Sequence, residues 1–306
     1  AWNVILYFVC LYTISALICW IFNLGITYFV ALPIFSLGMI MMLIKEYGKD
    51  EPWLNLALSI GVVGEVISIL ALTLFSGWVE YGLSLDYLIS ILTIIFVVIL
   101  TILALRLFYI TFWWFPELKK FLIPDAANNR FDQDIRFSIS SLLILVAIMY
   151  ALKIDVVLGA FAAGLFFKMF FSQKHELQDK IESFGFGFFV PIFFIYTGST
   201  VKLNMLNYDI LEHAFFIIFA IIFIRLLSSY LAFYQYLKFK QTLLFALSDS
   251  MPLTFLVAIA MLTFNYGLIS QSEYFSFIIA SIIDGLILML LIRKLHKVFL
   301  KKELKN

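Results

Sequence analysis

Four ionisable side chains sit in stretches that otherwise suit hydrocarbon. Glu65 lies in GVVGEVISIL (61–70), Arg225 in FAIIFIRLLSSYLAF (219–233), Asp249 in ALSDSMPLT (246–254) and Asp284 in IIASIIDGLILML (278–290). A carboxylate can bind a proton or a small cation, but not both productively. An unpaired charge at mid-bilayer costs about 2.5–3.5 kcal/mol on insertion scales, so such residues mark ion or proton paths. The expectation is that Glu65 and Arg225 pair, or that each has alternating partners. A hard cation wants oxygen ligands, and Ser36 and Ser68, the latter one turn beyond Glu65, could supply them. Asp249 reads two ways: as an ion contact, or as a cap on the helix that starts at the following proline. Asp284 either pairs with a basic group or faces a cavity.

Other chemistries find no footing. The sequence shows no Gly-rich phosphate loop, no Cys/His metal spacing and no Ser-His-Asp pattern. It therefore reads as neither an enzyme nor a cofactor binder. The net charge of +1 gives no field for nucleic acid. Cys10 and Cys19, if on one helix, lie roughly 13 Å apart along its axis and cannot pair.

The elements that must hold these residues are membrane helices. The chain is 64% hydrophobic and 13% charged, with a mean hydropathy of +1.05; a soluble domain is about a quarter charged. Runs long enough to span, about 20 residues each, are expected at 2–22, 25–45, 54–77, 87–114, 137–152, 154–171, 184–199, 211–237, 242–266 and 274–298. The reading is an all-α polytopic membrane protein of about ten spans. Apart from Arg106 and Arg225, which lie within runs, every basic residue but Lys153 and Lys202 falls on one side of this layout. By the positive-inside rule that side, with the C-terminus, is cytoplasmic. The chain divides into 1–114, a cytoplasmic loop at 115–136, and 137–306 ending in a short basic tail.

The layout repeats with inverted topology. The first three runs and the last three each have an interrupted middle member: ALPIFSLG with Pro33, Ser36 and Gly38, and ALSDSMPLT with Pro252. Proline removes a helix hydrogen bond and clashes with the preceding turn. Matched broken helices in inverted repeats are a pointer to a transporter's binding site. The third members carry the central acids Glu65 and Asp284.

These features resemble the membrane domain of bacterial monovalent cation:proton antiporters of the sodium/hydrogen exchanger type. The matching stretches are LIKEYGKDEPWLNLALSIGVVGEVISIL (43–70), VVLGAFAAGLFF (156–167), FVPIFFIYTGSTVKL (189–203), and the order Arg225, broken span, final span. The resemblance implies an inverted-repeat fold with two crossed broken helices in a core domain, a dimerisation domain and a homodimer. It also implies about three further N-terminal helices and a bacterial inner-membrane location. Many relatives have adjacent acids where Gly64 and Glu65 stand, so only Glu65 carries over, as the cation and proton site. A Thr common in the first broken helix is replaced by Phe35 beside Ser36. An Arg-Gly-Glu-like run in the second is replaced by Pro252-Leu253-Thr254.

One carboxylate then implies Na⁺ (or K⁺ or Li⁺) exchanged for H⁺, one for one and electroneutral. Glu65 would be the shared site, with Ser36, Ser68 and Asp249 as further ligands and Arg225 as ion-pair partner. The other readings are a sodium-coupled symporter of the same fold, the pore of a potassium efflux system, and a non-transporting scaffold. The symporter needs more polar groups at the midplane. The efflux pore calls for a nucleotide-binding domain that this sequence does not contain. The scaffold needs no buried charges. Membrane lipid is the expected surrounding.

Overall fold

Inside a bilayer no water bonds the backbone, so an apolar run must satisfy its own N–H and C=O groups, and it does so as helix. The computed structural model describes residues 2–48, 50–118, 133–152, 156–171, 175–200 and 207–303, and among them there is no strand. Lys153, Lys202 and most of the 115–136 loop lie outside the described residues. The helices are α1 (Trp2–Ile21), α2 (Ile26–Ala31), α3 (Gly38–Tyr47), α4 (Pro52–Tyr81), α5 (Leu85–Trp114), α6 (Gln133–Ala151), α7 (Val156–Phe171), α8 (His175–Phe184), α9 (Val190–Thr200), α10 (Tyr208–Asp249), α11 (Leu253–Asn265) and α12 (Gln271–Glu303). A π-helical turn, Gly185–Phe189, joins α8 to α9. Among the described residues, five helical stretches are long and apolar enough to cross a membrane: Trp2–Ile21, Pro52–Tyr81, Gln133–Ala151, Tyr208–Asn265 and Gln271–Phe299. The apolar runs at 25–45, 184–199 and 242–266 fold as interrupted helices.

The chain forms two compact units. The first joins Ala1–Leu72 to Thr200–Asn306. It contains two successions of the same kind. In one, α1 is followed by the half-helices α2 and α3, separated by a break, and then by the long α4. In the other, α10 kinks at Lys238, whose φ of 58° is non-helical. Its last turns and α11 flank a break at 250–252, and α12 follows. α10 packs along α1 and α12, and α11 along α12 and α2. The first break rests on α4 through the two glycines of GVVG. A Cβ on Gly61 would sit 2.6 Å from a Leu37 methyl, and one on Gly64 would sit 2.4 Å from Cγ of Phe35. Small residues permit this depth of contact, as they do where membrane helices approach closely.

Local chemistry sets the helix starts. Asn207 accepts from the Ile210 N–H at 3.0 Å, opening α10. Ser270 and Glu273 form a reciprocal capping box before α12: the Ser270 N–H donates to the Glu273 carboxylate at 2.9 Å and the Glu273 N–H to Ser270 Oγ at 3.2 Å. At the far end of α12, Arg293 pairs with Glu46 at 2.9 Å and His296 contacts Glu51 at 3.2 Å.

The second unit is Thr73–Ser199. Within it α7 packs on α6 at Gly159, where a Cβ would stand 2.8 Å from the Leu145 carbonyl oxygen. Ser84 caps α5 by accepting from the Tyr87 N–H. Lys180 of α8 pairs with the buried Asp134 of α6 at 3.5 Å.

Candidate functional site

The first break begins at Pro33, which has no N–H to donate and leaves the carbonyls around it without helical partners. Arg225 supplies the missing donors. Its Nη1 donates to the Leu32 carbonyl at 2.7 Å and its Nη2 to the Ile34 carbonyl. The next residue, Phe35, donates its N–H to Ser68 Oγ on α4 at 2.8 Å. Two residues further on, the Leu37 N–H donates to the Glu65 carboxylate. α3 starts there with Leu37 as its N-cap and no side-chain cap. The positive end of α3 thus faces a carboxylate, the favourable orientation for a helix N-terminus.

The second break lies at the other side of Arg225. Its Nε donates to the Asp249 carbonyl at 2.7 Å and stands 3.9 Å from Asp249 Oδ2. The Tyr7 hydroxyl, fully buried on α1, donates to the same Oδ2. Asp249 Oδ1 has no partner. The two breaks also meet directly, through the Ser36 and Thr254 hydroxyls 2.9 Å apart. Arg225 is 0% exposed, and its three hydrogen bonds stitch two interrupted helices to α10. A rigid fork of several donors suits that task.

The sequence-predicted residues are therefore brought together unevenly. Glu65, Ser36 and Ser68 lie at the first break, Asp249 at the second, and Arg225 bridges the two. The expected Glu65–Arg225 pair is not formed; the carboxylate beside Arg225 is that of Asp249. The physical reason is position: Asp249 ends α10 one residue before the break that Arg225 also serves. Nor does Asp249 cap the following half-helix, whose N-cap is Pro252 with no side-chain hydrogen bond. Ser68 Oγ accepts the Phe35 N–H, and Ser36 shares a hydrogen bond with the Thr254 hydroxyl. Asp284 is 1% exposed with neither carboxylate oxygen hydrogen-bonded. Tyr7, Phe35 and Thr254 belong to the site and were not singled out as functional residues in the sequence. Tyr7 is an aromatic in a run rich in aromatics, and Phe35 and Thr254 marked only departures from the family's pattern.

One arrangement can do chemistry. Glu65 is only partly buried, while Arg225, Asp249 and Asp284 are buried. Arg225 and Asp249 neutralise each other. Among the described residues, Glu65 has the Leu37 N–H as a backbone donor and no cationic partner. Its carboxylate is available to a proton or to a metal cation, with the end of a helix beside it. Among the described residues no group of three or more His, Cys, Asp or Glu could hold a multivalent metal.

Over residues 1–294 the chain matches the family described as "Sodium/hydrogen exchanger, transmembrane". A curated relative, "Putative Na(+)/H(+) antiporter YjbQ" of Bacillus subtilis (strain 168), is 29% identical over 160 residues. The match takes in 51% of this chain and 25% of that protein.

Proposed function

Since the chain belongs to the sodium/hydrogen exchanger family, a family of membrane transporters and not of enzymes, we propose that it exchanges a monovalent cation for H⁺ by competition at Glu65. Na⁺ is the first candidate, with K⁺ and Li⁺ next. The observation that carries this reading is the contrast between Glu65 and Arg225. Among the described residues, the fixed positive charge at the breaks is that of Arg225, which is committed to Asp249 and three backbone carbonyls. Glu65 is left without one.

The cycle follows from electrostatics. A bare carboxylate is expensive to carry through hydrocarbon. Loaded with H⁺ or with a metal cation it is neutral, and the helices bearing it can present it to the other face. The two loads exclude each other because they occupy the same oxygens. Exchange is then one charge for one charge and carries no net current. Glu65 would furnish the charged ligand, and water together with main-chain oxygens of the breaks would complete the cation's shell. Arg225 and Asp249 act as a neutral staple that holds the two interrupted helices in register while the load changes. The working molecule in this reading is a homodimer in the bacterial inner membrane with the basic tail inside.

The test is pH-gradient collapse in proteoliposomes of the purified protein. Adding Na⁺, K⁺ or Li⁺ in turn should dissipate the gradient for at least one of them. Glu65→Gln, which keeps the shape and loses the charge, should be silent with all three. A response from Glu65→Gln equal to that of the wild type would remove Glu65 from the mechanism.

A further inference from the structure

Phe35 approaches both Arg225 and the residue that precedes Glu65. The Arg225 guanidinium carbon lies 5.4 Å from the centre of the Phe35 ring, within cation–π range. The same ring is pressed on Gly64, the residue before Glu65: a Cβ there would stand 2.4, 2.5 and 2.8 Å from Cγ, Cδ1 and Cδ2 of Phe35. The ring is 1% exposed and packs against Phe8 and Tyr7 at centroid distances of 5.4 and 6.4 Å. Its own N–H is tied to Ser68. It has little room to swing. The ion pair that Arg225 does form is with Asp249, at 3.9 Å.

We propose that Phe35 is a positioning residue that keeps the Arg225 guanidinium off Glu65 and so reserves that carboxylate for the transported ions. A fixed cation in contact with Glu65 would be a built-in competitor for the mobile one. Arg225 cannot simply be dispensed with, because it supplies the donors that both breaks need. The solution is a bulky apolar ring packed against both the necessary charge and the helix turn that carries the carboxylate. Gly64 is the complement of that ring: only a residue without Cβ lets it lie against α4 beside Glu65.

The proposal rests on Glu65 being the exchange carboxyl. Its test uses Phe35→Leu, Phe35→Val and Phe35→Ala in proteoliposomes, with whichever of Na⁺, K⁺ or Li⁺ the wild type exchanges. Phe35→Ala opens the space and lets Arg225 compete. The KM for the cation should rise about tenfold or more, the effect of one opposite charge brought within a few ångströms of a carboxylate. Vmax should change much less. Phe35→Leu, which keeps most of the apolar bulk, should stay within a few-fold of the wild-type KM, with Phe35→Val between. An unchanged KM in Phe35→Ala, or a Phe35→Leu as impaired as Phe35→Ala, would overturn the proposal. If Phe35→Ala does not fold, the Leu and Val variants decide, and equal KM values for those two would overturn it. Full exchange by Glu65→Gln is a separate result, which fells the reading of Glu65 whatever the Phe35 series shows.

Discussion

At the scale of residues, Arg225 is a structural fork that serves both breaks. Lysine could keep the charge but not three directed hydrogen bonds to carbonyls on two different segments. Arg225→Lys should therefore lower stability by about 2–4 kcal/mol, from buried carbonyls left without donors. Thermal unfolding in detergent checks this, and a melting temperature equal to that of the wild type would refute the staple. Asp284 gives the opposite expectation. Neither of its oxygens has a partner, and no hydroxyl bonds to it to begin a cation shell. Asp284→Asn should leave the KM for the transported cation within about twofold of wild type. A KM raised tenfold would make Asp284 a ligand. The charged residues were legible in the sequence because a charge in an apolar run stands out against its neighbours. Tyr7 and Phe35 were not, since nothing in an aromatic's immediate neighbours separates a ring that shapes the site from one that faces lipid. The partner of Arg225 was also hidden. Asp249 is 24 residues away along the chain, and which carboxylate reaches the guanidinium depends on how the breaks fold against each other.

Elements carry the next layer. Both interruptions were readable from Pro33 and Pro252, because proline's missing N–H breaks a helix by itself. The kink at Lys238 and the π-helical turn at Gly185–Phe189 have no such marker and follow from packing. The contact between the first break and α4 was half legible: two glycines in GVVG suggest close approach, but not what approaches. That contact can be tested as an element property. Gly64→Ala places a methyl inside the Phe35 ring and should destabilise by about 1–3 kcal/mol, the range for overpacking. Combined with Phe35→Ala, which vacates the space, the penalty should be clearly less than the sum of the two single changes. Strict additivity in this double-mutant cycle would mean that the two sites do not touch.

For the whole molecule, the family match over residues 1–294 and the apolar helices make this a multi-pass membrane protein of an antiporter family. With Glu65 as the single exchange carboxyl, the proposed cycle moves no net charge. Purified protein on a supported membrane should give no steady current on a cation concentration jump, although pH exchange in the same preparation is active. A sustained current would rule out one-for-one exchange.

The proposed cycle stands on rivalry between proton and cation for Glu65, which initial-rate kinetics expose. Cation concentration is varied at several proton concentrations on the cation-loading face alone, with the opposite face held constant. Competition requires a KM that climbs with proton concentration while Vmax stays constant. A KM indifferent to pH on that face would contradict it.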